Sequence, residues 1–252
     1  MKTEIILDHV IKQLRIPEIG KQYRSLTREA EERNLSYEEY LLALLEAELQ
    51  AREENQRQRR LKQATFPIQK TLDTYDFSLM PSLNRNRFYT LAKGEFVEKK
   101  ENLIFLGNSG TGKSHLATAL GIEMVQLGYK TKFITASELV EELLMANEEH
   151  KLVAFEKKWL KFDVIIIDEL GYVPFTKTGA ELLFQFFSSR YERASVMITT
   201  NLEFSEWTTL FGDEKMTAAL LDRITHRSHI LLMNGESYRF RQSMKNQETN
   251  IE

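Results

Sequence analysis

The chain has 252 residues, 42% of them apolar and 28% charged, with a formal net charge of −3 and no cysteine. That balance is expected of a folded chain with one α/β domain and a smaller appendage, and it excludes a disordered polymer, a uniformly basic nucleic-acid binder, disulfides and thiolate metal sites. The N-terminus MKTEIILDHVIKQLR lacks a signal-peptide core and no run nears the roughly 18 apolar residues of a membrane span, so a cytoplasmic protein with no membrane partner is expected.

Residues 1–65 read as a small all-helical domain. Ile5, Ile6, His9, Val10 and Leu14 fall at helical spacing, and Pro17 with Gly20 interrupts them. Ser36 and Glu39 form a capping-box pattern before YLLALLEAELQ, in which Leu41, Leu42, Leu45 and Leu49 keep one face apolar. The pattern turns polar all round in REENQRQRR and ends at Thr65-Phe66-Pro67. Residues 66–101 read as a linker and the start of the core, 102–245 as the core itself, and 246–252 as a disordered tail.

From Asn102 onward strands and helices alternate. LIFLG is a short apolar strand, followed by a helix over roughly 113 to 127 that stops at Gly128. KTKFIT is a second strand, and the stretch from Ser137 to Phe162 is long enough for two helices. DVIIID is a continuous apolar strand of the kind buried on both faces of a parallel sheet. GAELLFQFFSSRYER is a helix, SVMITTN another buried strand, and SHILLM a fifth. The alternation predicts an α/β fold: a parallel five-stranded sheet between helices, with ligands at the carboxyl ends of the strands.

The chemistry centres on GNSGTGKS. Gly107, Gly112, Lys113 and Ser114 satisfy G-x-x-x-x-G-K-[ST] between a strand and a helix. Backbone N–H groups of Gly107, Asn108, Ser109, Gly110, Thr111, Gly112 and Lys113 are expected to curl round the phosphates of ATP at a helix N-terminus, continuing through Ser114 and His115. Lys113 reaches the β and γ phosphates, and the Ser114 hydroxyl is a ligand for Mg²⁺. Asp168, ending a buried strand, is the second Mg²⁺ residue, and Glu169 beside it is placed to activate the attacking water. A kinase acting on a small molecule has no need of that glutamate.

Asn201 follows the next buried strand, where an amide is placed to sense the γ-phosphate, although Asn there is also an ordinary turn residue. Arg223, in ALLDRITHRS, lies beyond easy reach of its own γ-phosphate. It reads either as a surface arginine or as one that acts in trans on a neighbouring subunit. Arg239 is a second arginine, for the phosphates in cis. The five histidines show no metal-ligand spacing, so Mg²⁺ with the nucleotide is the metal expected.

Charge is unevenly spread. Residues 28 to 48 carry seven glutamates against Arg28 and Arg33, whereas Arg52, Arg57, Arg59, Arg60 and Lys62 follow with Glu53 and Glu54. Such basic stretches fit a phosphate backbone as well as solvated surface.

Together GNSGTGKS, IIIDELGYVP, TTN, LLDRI and ESYR resemble the AAA+ ATPases of the DnaC/IstB branch, over about residues 36 to 243. YEEYLLALLEAELQARE followed by TLDTYDFS is similar to the helical preface and linker of IstB proteins, the ATP-dependent helpers of transposases in insertion sequences. The resemblance implies a Walker A loop at 107–114, a Walker B pair in Asp168 and Glu169, sensor 1 in Asn201, an arginine finger in Arg223 acting in trans, and sensor 2 in Arg239. It implies that the segment around 137 to 161 is an initiator-type insertion, with Lys151, Lys157, Lys158 and Lys161 as candidate DNA contacts beside Arg57, Arg59, Arg60 and Lys62. It further implies an ATP-dependent homo-oligomer on duplex DNA, without strong sequence preference, that serves a transposase. A DnaC-type helicase loader is the alternative on the same fold.

Overall fold

The computed structural model describes residues 2–68, 70–77, 83–235 and 237. Its contacts divide the chain into Met1–Arg59 and Arg60–Glu252.

The first unit holds α1 (Lys2–Leu14), α2 (Pro17–Arg33) and α3 (Tyr37–Ala64), the last of which runs past the division. Pro17 opens α2 at a position where its missing N–H costs nothing. Gly20, read from the sequence as part of the break, lies inside α2 instead. Any Cβ there would come within 3.1 Å of the Ile11 side chain, so the glycine permits close approach of α1. Ser36 and Glu39 form the predicted capping box, each side chain accepting from the other's backbone N–H, at 2.7 and 3.2 Å. The core is small: Ile11, Ile19 and Leu44, with Tyr23, Leu26 and Tyr40 around it. Glu48 on α3 caps the start of α2, accepting from the N–H groups of Glu18 and Ile19 at 2.8 and 3.3 Å.

The second unit is a three-layer α/β/α core. The short helices α4 (Arg85–Leu91) and α5 (Glu95–Glu98) lead into β1 (Asn102–Leu106), α6 (Lys113–Gln126), β2 (Thr131–Thr135), α7 (Ala136–Glu148) and α8 (Leu152–Trp159). Then come β3 (Val164–Leu170), α9 (Lys177–Arg190), β4 (Ser195–Thr200), α10 (Trp207–Phe211), α11 (Glu214–Thr225) and β5 (Ser228–Leu232). The five strands are all parallel, in the order β2-β3-β4-β1-β5. Side chains alternate between the two faces, as the pleat requires. Leu103, Phe105, Val164, Ile166 and Met197 pack toward Leu116, Leu120 and Met124 of α6. Ile104, Ile165, Ile167, Val196 and Ile198 pack toward α7, α9, α10 and α11 through Leu139, Leu143, Leu183, Phe186, Trp207 and Leu220. With both faces covered, the strands read as continuous apolar runs, which is what made DVIIID and SVMITT legible.

Candidate functional site

The strand order decides the site. With β1 beside β4 and β4 beside β3, the carboxyl ends of three strands meet, and they end in Gly107, in Asp168-Glu169 and in Asn201. The Gly107 N–H donates to the Thr200 carbonyl at 3.2 Å, tying the glycine loop to the end of β4.

The loop is built for close approach. A Cβ at Gly107 would collide with the carbonyl of Met233, and one at Gly112, whose φ is +88°, would meet the Tyr75 ring at 2.7 Å. Lys113, the first residue of α6, is only 5% exposed. Its ammonium donates to the carbonyls of Gly107 and Asn108 at 2.7 and 2.8 Å, which puts the positive charge inside the curl of the loop. The glycine-rich bend, the helix N-terminus and the enclosed ammonium together fit a chain of phosphates. Ser114 follows on the first turn of the same helix. Asp168 is buried to 6% exposure. Among the described residues no group of three or more His, Asp or Glu side chains gathers to hold a metal. A divalent ion at Ser114 and Asp168 would therefore draw its other ligands from phosphate and water, the habit of Mg²⁺.

The β3 end is irregular in a way the sequence does not announce. Its register with β4 shifts between Ile167 and Leu170, and Glu169 takes a φ of +60°. A non-glycine residue in that region carries strain of about 1–3 kcal/mol. The bulge separates the pair: Asp168 stays buried while Glu169 projects exposed. Thr199 of β4 holds it in place, its hydroxyl donating to Asp168 Oδ1 at 2.5 Å and accepting from the Glu169 N–H at 3.0 Å. Asn201, just past β4, is exposed.

The segment before the core closes the loop's other side. Tyr75 packs edge-on to Phe77 (4.9 Å between centroids) and to His115 (5.2 Å), and its hydroxyl donates to the Thr111 carbonyl at 3.3 Å. Burial pushes the Tyr75 phenol up to about 12, with Asp76 adding to the effect. His115 Nε2 donates to the Thr71 carbonyl at 3.2 Å; burial holds its pKa below the usual imidazole value, against the opposing pull of that bond. Tyr172, after β3, reaches Ser109 Oγ at 3.4 Å. Neither Thr199, Tyr75 nor Tyr172 was singled out from sequence; TTN, TLDTYDFS and IIIDELGYVP contained them, without a role for any of the three.

Arg223 is elsewhere. It lies on α11, its guanidinium 5.1 Å from the Phe184 ring centroid and 3.4 Å from Ser188 Oγ, both on α9. It lines a cleft with Asn102, the first residue of β1, so it sits by the amino ends of the strands. The predicted basic contacts divide by environment. Arg57 is bidentate to Glu54 at 2.8 and 2.9 Å, and Lys151 pairs with Glu149 at 2.8 Å. Arg59, Lys62, Lys157, Lys158 and Lys161 are exposed, and Arg60 is half-buried. Arg239 and the 246–252 tail lie outside the described residues. No helix among the described residues is long and apolar enough to cross a membrane.

The model of the IstB-like ATP binding proteins matches residues 9–246. The chain is 39% identical over 236 residues to the ATP-binding protein of insertion sequence IS5376 from Geobacillus stearothermophilus, covering 94% of each. It is 36% identical over 239 residues to that of insertion sequence IS21 from Pseudomonas aeruginosa, covering 95% of this chain and 90% of the relative. Among solved structures, DnaI superposes with a TM-score of 0.54 at 20% identity, over 66% of this chain and 91% of that one. DnaA from Aquifex aeolicus gives 0.51 at 18%, over 65% and 49%, a likeness of AAA+ fold alone. On its sequence over nearly its full length, the chain belongs to the IstB-like ATP binding proteins.

Proposed function

We propose that this protein is an ATP-hydrolysing regulator of transposition. With ATP it oligomerises on duplex DNA and presents that DNA to a partner transposase, and hydrolysis loosens the assembly. The observation that carries the reading is the separation of the site into two halves. Lys113, Asp168, Glu169 and Asn201 gather at the carboxyl ends of the strands, while Arg223 lies by their amino ends. A five-residue strand spans roughly 16 Å, too far for one arginine side chain to bridge, so Arg223 serves a second copy of the chain.

In this reading Lys113 and the loop N–H groups hold the triphosphate, and Ser114 and Asp168 hold Mg²⁺, which neutralises phosphate charge when bound. Glu169 orients the attacking water and takes its proton, and Asn201 hydrogen-bonds beside it. Arg239 completes the phosphate contacts in cis. Rows of exposed lysines and arginines, among them Lys157, Lys158 and Lys161 on the insertion, face the duplex. Each subunit adds a modest phosphate-contact term, so a net charge of −3 is no obstacle and affinity falls steeply with salt. Similarity over nine-tenths of the chain to insertion-sequence proteins favours a transposase client over a helicase.

The test is sizing on a duplex of several helical turns, with ADP or a non-hydrolysable ATP analogue, for wild type and Arg223→Ala. Large protein–DNA particles are expected only with the analogue and only for wild type. Duplex binding indifferent to both the nucleotide and Arg223 would overturn the reading.

A further inference from the structure

Tyr172 is an aromatic side chain that packing does not explain. It is 45% exposed, so burial gives little reason for a tyrosine there. What it has instead is a fixed base and a polar end. The Tyr172 N–H donates to the Glu169 carbonyl at 3.3 Å, closing a tight turn that begins at Glu169. Two residues of that turn, Glu169 and Gly171, have positive φ, +60° and +99°. A Cβ at Gly171 would meet the Leu202 side chain at 2.5 Å, so the turn rests on the residue after Asn201.

Leu202 is itself pinned. Its N–H donates to Thr200 Oγ1 at 3.1 Å, and its carbonyl accepts from the Trp207 indole at 3.4 Å. At the far end of the side chain, the Tyr172 hydroxyl donates to Ser109 Oγ at 3.4 Å, in the middle of the glycine loop. The path from Glu169 to that loop is therefore short: one backbone hydrogen bond, one side chain and one hydroxyl contact. Thr199 holds the Glu169 N–H from β4, and Tyr172 ties the other end of the same turn to the loop.

We propose that Tyr172 is a positioning residue for hydrolysis, a strut between the phosphate loop and the turn that carries Glu169, which sets how far that carboxylate stands from the γ-phosphate. It rests on Glu169 as the residue that orients the attacking water. Tyr172 touches none of the reacting atoms and acts through Glu169, because a misplacement of about 1 Å can cost on the order of 10²-fold in rate. At 3.4 Å the hydroxyl contact is long, and hydrogen bonds of catalytic sites commonly shorten with substrate in place.

The test is a pair of double-mutant cycles on the full chain. The single variants are Tyr172→Phe, Ser109→Ala, Ser109→Thr and Glu169→Gln, and Tyr172→Phe is also combined with Ser109→Ala and with Glu169→Gln. Melting temperature checks the fold of each, and a fluorescent ATP analogue checks binding. We expect Tyr172→Phe to lower kcat about fivefold, the scale of one neutral hydrogen bond, with KM and analogue affinity within about twofold of wild type. Ser109→Ala should match it, the combination of the two should fall no further, and Ser109→Thr, which keeps a hydroxyl, should regain most of the loss. In the Glu169→Gln background, Tyr172→Phe should change the residual turnover by less than about twofold. An unchanged kcat in Tyr172→Phe, beside a disabled Glu169→Gln, would overturn the strut alone. A loss confined to KM would make the hydroxyl a nucleotide contact and also overturn it, as would losses that multiply in either combination. Glu169→Gln that hydrolyses like wild type would instead overturn the role given to Glu169, and the strut with it.

Discussion

The Thr199 hydroxyl donates to Asp168 Oδ1 at 2.5 Å while accepting from the Glu169 N–H at 3.0 Å, so one side chain on β4 holds both acidic residues at the end of β3. The Asp168 carboxylate is thereby oriented, as the Mg²⁺ role proposed for it requires, and the backbone that carries Glu169 is held with it. Partners that orient a metal-ligating carboxylate often weigh nearly as much as the ligand itself. Thr199→Val keeps the shape and loses both bonds. Turnover should fall roughly 10- to 100-fold with little change in ATP affinity, and Thr199→Ser should restore most of it. Steady-state kinetics of the three proteins checks this; equal kcat in Thr199→Val would show that the hydroxyl is only structural.

Glu169 sits at φ +60°, on a bulge, with its side chain in the open. Strain kept at such a position points to a chemical use for the side chain rather than a packing one. On the proposed function, Glu169→Gln retains the backbone and loses the base, so hydrolysis should drop by about 10²–10⁴ while ATP still binds. Glu169→Gly should lose hydrolysis too on the same reading, but it relaxes the left-handed residue and should raise stability by about 1 kcal/mol. On a domain of this size that is roughly 3 °C in melting temperature. Calorimetry on the two variants separates the roles: a Glu169→Gly protein that melts lower than wild type would refute the strain argument.

How far the sequence speaks for itself differs between the two halves of this site. The strand, loop and helix around GNSGTGKS were legible because a buried parallel strand is apolar throughout and the phosphate loop needs its glycines at fixed intervals. The place of Asp168 and Glu169 at the carboxyl end of a buried strand was legible as DE after three isoleucines. The bulge that turns Glu169 outward was not, since a left-handed glutamate has no local signature. Thr199 was invisible for a related reason: its partner lies across a strand boundary 31 residues away in the chain. Strand order was equally hidden, because β4 inserts between β1 and β3 only through long-range pairing. The reading of Pro17 with Gly20 as one interruption failed at Gly20, whose meaning is contact with Ile11 and not a turn.

Tyr75 and Gly112 form a tight pair, a ring carbon lying 2.7 Å from where a Cβ on the glycine would stand. The ring therefore backs the phosphate loop, and its hydroxyl adds only a long bond to Thr111. Tyr75→Phe should bind ATP within about twofold of wild type, since one long, half-buried bond is at stake. Tyr75→Ala removes the backing and should weaken ATP roughly tenfold, a cost of one to two kcal/mol in a half-buried aromatic contact. Titration with a fluorescent ATP analogue reads both. Equal loss in the two variants would mean that the hydroxyl, not the ring, matters.

His115 gives the fold a pH dependence of known sign. Burial lowers its folded pKa below the unfolded value, Lys70 lowers it further, and the bond to the Thr71 carbonyl opposes both. Above the unfolded pKa of about 6.5 the ring is neutral in both states and its contribution is intact. As pH falls below that value, the unfolded chain takes up the proton first. Stability is then lost progressively until the lower, folded pKa is passed. Protonation also adds a positive charge beside Lys70. Melting temperature between pH 7.5 and 5 should therefore fall more steeply for wild type than for His115→Gln, which cannot titrate. Parallel curves for the two proteins would remove His115 from the account of acid sensitivity and leave the carboxylates to carry it.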